Sequence, residues 1–205
     1  MPHEPLIILD FETTGLSPES GDRITEIGLV RIEAGGITAR WQSLVNCGVR
    51  VPTFITAYTG ITQAMVDAAP RVEQVMREAL EFIGGTAVVA HSAMFDQRFF
   101  RRECRAIGVT RYPEPFICSM QLARRLHPQL QSHSLAALAH KLALPTTGMA
   151  HRAPADAEVT AQLMIRLGQD LAQRHPDVVV TASLLRRLMH TPVPGALLRP
   201  EPLVA

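Results

Sequence analysis

The sequence predicts an α/β or α+β domain in which helices cover a mixed β-sheet. Two features carry this prediction: three strand-like segments follow one another near the N-terminus, and short apolar strands then alternate with helical segments. The chain has 205 residues, of which 47% are hydrophobic and 19% are charged, so it is long enough to bury one full core. We therefore expect one folded domain with a C-terminal appendage.

The first three elements are predicted to be strands. The apolar run PLIILDFE, residues 5–12, is typical of a buried strand, and residues 23–33 alternate apolar and polar side chains. A Gly-Gly pair opens the segment 35–46, so the second and third strands are expected to form a hairpin. The following stretch VPTFITAYTGIT, residues 51–62, has turn chemistry and is predicted to be a loop.

The remainder of the chain is predicted to be mostly helical, with two more short strands. Strands are expected at 86–91 and near 115–118, and helices at 71–83, after Ala93, and at 119–126, 134–142 and 154–174. We divide the chain into a main domain, residues 1–175, and a C-terminal part, residues 176–205. That part holds a short helix within TASLLRRLMH, expected to pack back on the domain, and an extended, partly disordered Pro-rich tail.

Composition limits which partners and which cellular compartment we expect for the protein. The net charge is +1, so bulk positive charge cannot drive nucleic-acid binding and any basic surface must be local. The three cysteines are widely spaced without a CxxC pair, which predicts reduced, buried thiols rather than a zinc ribbon or a disulfide framework. The chain has no run of roughly 18 apolar residues and no basic leader, so we expect a cytoplasmic protein without a membrane partner.

Acidic residues lie at the ends of three separate elements. Asp10 and Glu12 point to the same face of the first strand, where two buried anions repel each other. Asp96, in HSAMFD, and Asp156, in HRAPAD, each lie in the first turn of a helix, and His151 stands five residues before Asp156. Taken singly, each acid has an ordinary structural explanation, such as a solvent-facing strand end or a favourable interaction with a helix N-terminus.

Taken together, DFETTGL, HSAMFD and HRAPAD resemble the three ordered motifs of the DEDDh family of 3′-5′ exonucleases, which includes proofreading subunits of bacterial DNA polymerases. The segments TEIGLV and TGIT are also similar to the family, whereas Ser92 stands where asparagine is common. The resemblance covers about residues 5–170. It implies an RNase H-like three-layer sandwich with a five-stranded mixed sheet, and an exonuclease domain over residues 1–175.

The resemblance also implies a two-metal mechanism. Asp10 would bridge two divalent ions, Glu12 and Asp156 would bind the first ion, and Asp96 would assist the second. Oxygen-only ligands favour hard cations, so Mg²⁺ or Mn²⁺, two per active site, is expected. His151 would be the general base that takes a proton from the attacking water, because an imidazole can accept a proton near neutral pH.

A set of residues around the acids is expected to hold the 3′ end of the substrate. These candidates are Thr13, Thr14, Gly15, Leu16, His91 and Phe95. Gly15 would allow close approach of the terminal nucleotide, and Leu16 would wedge against a base. On the helix after Asp96, Arg101 and Arg102 are either phosphate contacts or part of an ordinary solvated face.

The expected function is metal-dependent 3′-5′ hydrolysis of single-stranded DNA, which releases nucleoside monophosphates. The protein would act alone in repair or as a polymerase proofreading subunit, although residues 176–205 contain no convincing polymerase-binding segment. Two alternatives remain open. One is an RNA-trimming exoribonuclease, since recognition of the 2′-OH cannot be read from the sequence. The other is a non-catalytic module that binds nucleic-acid ends or a polymerase, although none of the motif acids is missing.

Overall fold

A computed structural model shows a five-stranded mixed sheet flanked by helices, and it describes residues 4–113, 115–146 and 148–191. The strands are β1 Leu6–Thr13, β2 Ile24–Glu33, β3 Gly36–Leu44, β4 Ala87–Ala90 and β5 Ile117–Cys118. Their spatial order is β3-β2-β1-β4-β5. The first three strands form an antiparallel meander, whereas β4 pairs with β1 and β5 pairs with β4 in parallel. The predicted fold class and all five predicted strands are confirmed.

Eight α-helices lie within the described ranges. They are α1 Thr53–Thr59, α2 Gln63–Asp67, α3 Val72–Ile83, α4 Met94–Ala106, α5 Ser119–Leu126, α6 Leu135–Lys141, α7 Ala153–Arg174 and α8 Ala182–His190. The longest, α7, packs against β1 and β2. It therefore covers the sheet face close to the end of the central strand.

The central strand β1 explains the apolar run at the start of the chain. Four consecutive residues, Leu6 to Leu9, are completely buried, as expected for a strand covered on both faces. The run ends at Asp10, where the strand reaches the edge of the core. Parallel pairing with β4 brings the carboxyl ends of both strands to the same edge of the sheet.

The prediction of a loop over residues 51–62 is wrong, because this segment contains the helix α1. Its composition hides the helix: Pro52 precedes it, three of its seven residues are threonine, and Gly60 ends it with a positive φ of 74°. Packing of apolar residues stabilises the helix instead. The flanking residues Val51 and Ile61 are buried in a small apolar cluster that also contains Cys47 and Val66.

The C-terminal helix α8 packs back on the domain, as predicted. Its residues Leu184, Leu185 and Leu188 are buried in the main core, and the Cys118 amide lies 2.9 Å from the Met189 sulfur. The division at residue 175 stays a prediction, and the predicted Pro-rich tail, residues 192–205, lies outside the described residues. In the part of the chain that the structure describes, none of the helices has the length and apolarity needed to cross a membrane.

Candidate active site

Three carboxylates converge where β1 leaves the core. Asp10 and Glu12 project from the same face of β1, and their antiparallel partners on β2 are Gly28 and Glu26. The first turn of α7 contributes Asp156. One ligand oxygen from each of Asp10, Glu12 and Asp156 lies within 4.8 Å of the other two. We call these three residues the carboxylate cluster.

The fourth predicted acid, Asp96, lies next to this cluster. It stands in the first turn of α4 and is only 3% exposed. The backbone amide of Phe11 donates a hydrogen bond to its carboxylate, which fixes Asp96 against β1 from the α4 side. Its charge also acts on Asp10. The structure therefore places the acids of all three sequence motifs in one neighbourhood.

The site is crowded with negative charge. Burial raises the pKa of Asp10 well above its ordinary value, and the neighbouring Asp96 and Asp156 raise it further. Burial, followed by the charge of Asp156, raises the pKa of Glu12 to about 7, while Arg152 partly opposes this shift. Burial likewise raises the pKa values of Asp96 and Asp156. These carboxylates cannot all ionise near neutral pH unless positive charge enters the site.

This donor set fits a divalent metal ion. The carboxylate cluster offers only hard oxygen ligands, close enough together to share one cation, and that is the chemistry preferred by Mg²⁺ and Mn²⁺. A bound cation would also remove the electrostatic cost of ionising Asp10 and Glu12. Asp96 is not one of the three acids of the carboxylate cluster, but its charge acts on Asp10.

His151 lies in the loop before α7 and is tied to the carboxylate cluster through its backbone. Its amide donates to Asp156 Oδ2 at 3.2 Å, and its φ of 59° lies in the left-handed region that non-glycine residues rarely adopt. The imidazole stacks on the Tyr58 ring with the centroids 3.9 Å apart. A residue from α1, the segment predicted to be a loop, thus contacts the predicted general base.

Close approach of α7 to the sheet depends on Gly28. A methyl group at this position would overlap the carbonyl of Ala153 and the nitrogen of Pro154, at the start of α7. Gly28 is also the cross-strand partner of Asp10. The absent side chain therefore lets α7 deliver Asp156 to the end of β1.

Two buried ion pairs join the motif segments. Glu26, 3% exposed, accepts from the Arg152 guanidinium, with Nε to Oε2 at 3.0 Å, and from the Ala153 amide at 2.9 Å. This first pair fastens α7 to β2. In the second, Arg23 donates to both carboxylate oxygens of the buried Glu103, at 2.8 and 2.9 Å, and so fastens the start of β2 to α4.

The TTG segment after Glu12 is held mainly by internal hydrogen bonds. Thr13 Oγ1 donates to the Gly15 carbonyl at 2.6 Å, and Thr14 exchanges hydrogen bonds with the Arg23 backbone. Gly15 lies against the Asp22 carboxylate, which would have to move from its hydrogen bond with the Ser17 amide if a side chain were added to the glycine. Its predicted role at the 3′ nucleotide stays a prediction.

The other predicted substrate contacts differ in how much of their surface is available. Leu16 is 80% exposed, as a wedge against a base would have to be. Phe95 is half-buried and packs against Phe99, 5.0 Å between ring centroids. Both ring nitrogens of His91 are engaged, with Ser119 Oγ at 2.9 Å and the His133 carbonyl at 3.1 Å. Desolvation lowers the pKa of His91 to about 4, so its ring is neutral.

The arginines of α4 are partly committed to partners within the protein. Arg102 donates to Glu103 Oε1 at 3.1 Å, and Arg98 forms an ion pair with Glu19. Arg101 lies half-buried on the same helix. The predicted phosphate stripe of Arg101 and Arg102 therefore shares this helix with internal ion pairs, and its role stays a prediction.

Sequence reasoning missed Tyr58 and both buried ion pairs. One signal was available: Glu26 lies between the apolar residues Ile24 and Ile27 of β2, and an acid that becomes buried there needs a partner. The partner itself was not readable, because Arg152 is 126 residues away along the chain. Tyr58 offered no signal once its segment had been interpreted as a loop.

A protein-family model described as Exonuclease, RNase_T, matches residues 7–164. Among curated relatives, the DNA polymerase III subunit epsilon of Aquifex aeolicus is 34% identical over 165 residues, 80% of this chain and 81% of the relative. The PolC-type DNA polymerase III of Thermotoga maritima is 38% identical over 160 residues, but the match covers only 12% of that larger protein. The 3′-5′ exonuclease DinG of Bacillus subtilis is 33% identical, with 18% of its length matched.

Solved structures give the same picture. Exonuclease X in complex with 5′ overhanging duplex DNA has a TM-score of 0.70 and 29% identity, and the match covers 90% of this chain and 99% of that chain. The nuclease domain of 3′hExo, described as a DEDDh family member bound to rAMP, has a TM-score of 0.72 at 22% identity, with 82% and 93% covered. The second likeness shows the shared fold.

Proposed function

The chain belongs to the exonuclease family, and from that premise we propose that its carboxylate cluster and Asp96 form a two-metal site that removes nucleotides from the 3′ end of single-stranded DNA. The chain is accordingly a 3′-5′ exonuclease. The observation that carries the site assignment is the convergence of Asp10, Glu12 and Asp156 oxygens within 4.8 Å.

The four acids would divide the metal ions between them. Asp10 would be shared between the two ions, Glu12 and Asp156 would bind the first, and Asp96 would assist the second. When bound, divalent ions would supply the activation of a water and would stabilise the leaving 3′ oxygen. The protein contributes a rigid frame, because β1 is buried on both faces and buried ion pairs hold α4 and α7 against the first two strands and their connecting segment.

His151 would take the proton from the attacking water. The hydrogen bond from its backbone amide to Asp156 Oδ2 keeps its backbone beside one of the proposed metal-binding acids. General base catalysis of this kind is typically worth about 10² to 10⁴ in rate. Substitution of His151 should therefore slow the reaction strongly without removing the metal ligands.

Exposed apolar side chains support an unpaired strand as the substrate. Leu16, Met94 and Met149 are 80%, 76% and 67% exposed, and each lies within four residues of a motif acid or of His151. Apolar side chains beside the motif acids are suited to contact with unstacked nucleobases. We favour DNA over RNA because the epsilon and PolC-type relatives carry the name of a DNA polymerase.

The match to 81% of an epsilon subunit also supports a partnership with a replicative polymerase. Mixing the purified protein with the polymerase catalytic subunit tests this role. Co-elution in gel filtration, with faster removal of a mismatched 3′ nucleotide, would support a proofreading subunit. Independent elution and unchanged mismatch removal would instead support a nuclease that acts alone.

The activity is tested with 5′-labelled single-stranded DNA, single-stranded RNA and mismatched duplex, each with Mg²⁺, with Mn²⁺ or with chelator. We expect metal-dependent shortening from the 3′ end, abolished by Asp10→Ala and reduced about 10² to 10⁴-fold by His151→Ala. Faster cleavage of the RNA than of the DNA would show that RNA is the preferred substrate. Full cleavage in chelator, or full activity of Asp10→Ala, would contradict the assigned site.

A further inference from the structure

Tyr58 stands outside the three motifs, yet its ring stacks on the imidazole of His151. The two ring centroids are 3.9 Å apart and the ring planes differ by 29°. Tyr58 belongs to α1 and is 59% exposed, whereas the next residue, Thr59, is buried. Core packing therefore does not account for a large aromatic ring at this position.

We propose that Tyr58 is a positioning residue that holds the His151 imidazole in the orientation needed to accept the proton of the attacking water. The proposal rests on the proposed function, because it assumes that His151 is the general base. It adds α1 to the three motif segments as a fourth contributor to the site.

The first support is the way in which His151 is anchored. Its backbone is fixed by the hydrogen bond from its amide to Asp156 Oδ2, 3.2 Å long, and by its left-handed conformation. The imidazole can still rotate about its two side-chain torsions, and the second of these has a broad energy profile. A ring stacked against the imidazole restricts that rotation, and Tyr58 supplies such a ring.

The second support is the geometry of the stack itself. Tyr58 covers the face of the imidazole, while both ring nitrogens lie in the imidazole plane and point away from the stacking contact. Proton transfer takes place at a nitrogen edge. The contact therefore fixes the ring without competing for the atom that accepts the proton.

The third support is mechanical. The loop that carries His151 has Gly148 at a positive φ of 76°, and a side chain at Gly148 would press on the Ala155 methyl group. This loop therefore lies directly over the first turn of α7. The Tyr58–His151 contact joins this loop to α1, which belongs to a different part of the chain. The residues that flank α1 pack in the small cluster of Val51, Ile61 and Val66, so the contact ties the position of the loop to that cluster.

The test compares Tyr58→Ala, Tyr58→Phe and a matched control, Phe54→Ala, which removes another exposed ring from the same helix. Loss of one aromatic stack should lower kcat by about threefold to tenfold. We expect this fall for Tyr58→Ala with KM unchanged, recovery in Tyr58→Phe, and wild-type kcat for Phe54→Ala. Equal effects of Tyr58→Ala and Phe54→Ala would overturn the proposal.

Combination with His151→Ala shows whether Tyr58 acts through the histidine. In that background, Tyr58→Ala should have no further effect on the residual rate. A fall by the same factor as in the wild-type background would refute the proposed role. Full activity of His151→Ala would refute the role of His151 as general base, and thus the proposed mechanism. If His151→Ala is inactive but Tyr58→Ala has the activity of the wild type, only the inference on Tyr58 is refuted.

A spectroscopic measurement makes the contact testable without turnover. The His151 ring protons should show an upfield ring-current shift in the proton NMR spectrum of the free protein. We expect this shift to disappear in Tyr58→Ala and to persist in Tyr58→Phe and Phe54→Ala. An unshifted His151 resonance in the wild type would show that the stack is absent in solution and would overturn the proposal.

Discussion

Substitution of Asp10 by asparagine should stabilise the metal-free protein while it removes the metal response. Burial and the neighbouring acids Asp96 and Asp156 already hold the pKa of Asp10 well above its ordinary value. Two unit charges at the 4.8 Å limit of the cluster repel by about 3 kcal/mol at an effective dielectric constant of about 20. The asparagine keeps the shape of the side chain and removes this charge.

The expected gain is smaller than a full pair repulsion, because a shared proton already relieves part of it in the wild type. We expect Asp10→Asn to raise the free energy of unfolding by about 2 kcal/mol at about pH 8, or the Tm by roughly 4 to 8 °C. With saturating Mg²⁺ the order should invert. A ligand at 100 times its Kd adds about 2.7 kcal/mol to the wild type, and Asp10→Asn should gain almost none of it.

The pH dependence follows from the raised pKa values. Glu12 titrates at about 7 in the folded protein, above its ordinary value of 4.5, so its contribution to stability is complete below the ordinary value and is lost as the pH rises through 7. The metal-free wild type should therefore weaken by about 3 kcal/mol from this group between about pH 5 and pH 9. Added Mg²⁺ should reverse most of that loss.

Thermal unfolding by differential scanning fluorimetry measures these effects with and without Mg²⁺ at each pH. Glu33→Gln is a suitable control, since Glu33 is an exposed acid at the opposite end of β2 from the carboxylate cluster. It should change neither the Tm nor the Mg²⁺ response. Metal-free Asp10→Asn that is no more stable than the wild type, or that keeps the full stabilisation by Mg²⁺, would show that charge repulsion at Asp10 does not weaken the fold.

Three further predictions concern the frame around the site. Glu26→Gln should lower the free energy of unfolding by about 1.5 to 3 kcal/mol in urea melts, because the Arg152 guanidinium and the Ala153 amide lose their charged acceptor. Breaking the exposed Arg40–Glu158 pair with Arg40→Gln should cost less than about 1 kcal/mol. Gly28→Ala should cost about 1 to 3 kcal/mol and reduce nuclease activity, since the added methyl group pushes α7 away from β1; a stable, fully active variant would contradict the close approach. His91 has a pKa of about 4 against an ordinary value of 6.5, so its contribution to the free energy of unfolding, about 3 kcal/mol, should be lost as the pH falls from about 7 to 4. The free energy of unfolding of His91→Gln should fall by about 3 kcal/mol less than that of the wild type over the same range.

Much of the fold follows from periodicity and turn chemistry. The buried run before Asp10 and the Gly-Gly turn before Ile37 are local signals, and they identified the central strand and the hairpin beside it. The helix α1 was missed because its residues have weak intrinsic helix preference, with threonines at 53, 56 and 59. It forms because neighbouring apolar residues pack together, and contacts of that kind are not visible in a short window of sequence.

The same distinction applies to the site. The acids lie in ordered local motifs, so their family resemblance could be recognised from the sequence. Their precise support could not: Glu26 meets Arg152 across 126 residues, and Arg23 meets Glu103 across 80. Whether a given arginine contacts substrate or an internal acid is decided by such long-range pairing, which only the folded chain defines.

The central claim is that Asp10, Glu12, Asp96 and Asp156 together hold two divalent ions beside the 3′ nucleotide. The most direct measurement is anomalous scattering from crystals grown with Mn²⁺ and a nucleoside monophosphate. We predict two manganese peaks roughly 3.5 to 4 Å apart between these carboxylates, with the phosphate bound to both and both peaks lost in Asp10→Asn. Manganese bound elsewhere, or cleft carboxylates without manganese at saturating concentration, would contradict the account.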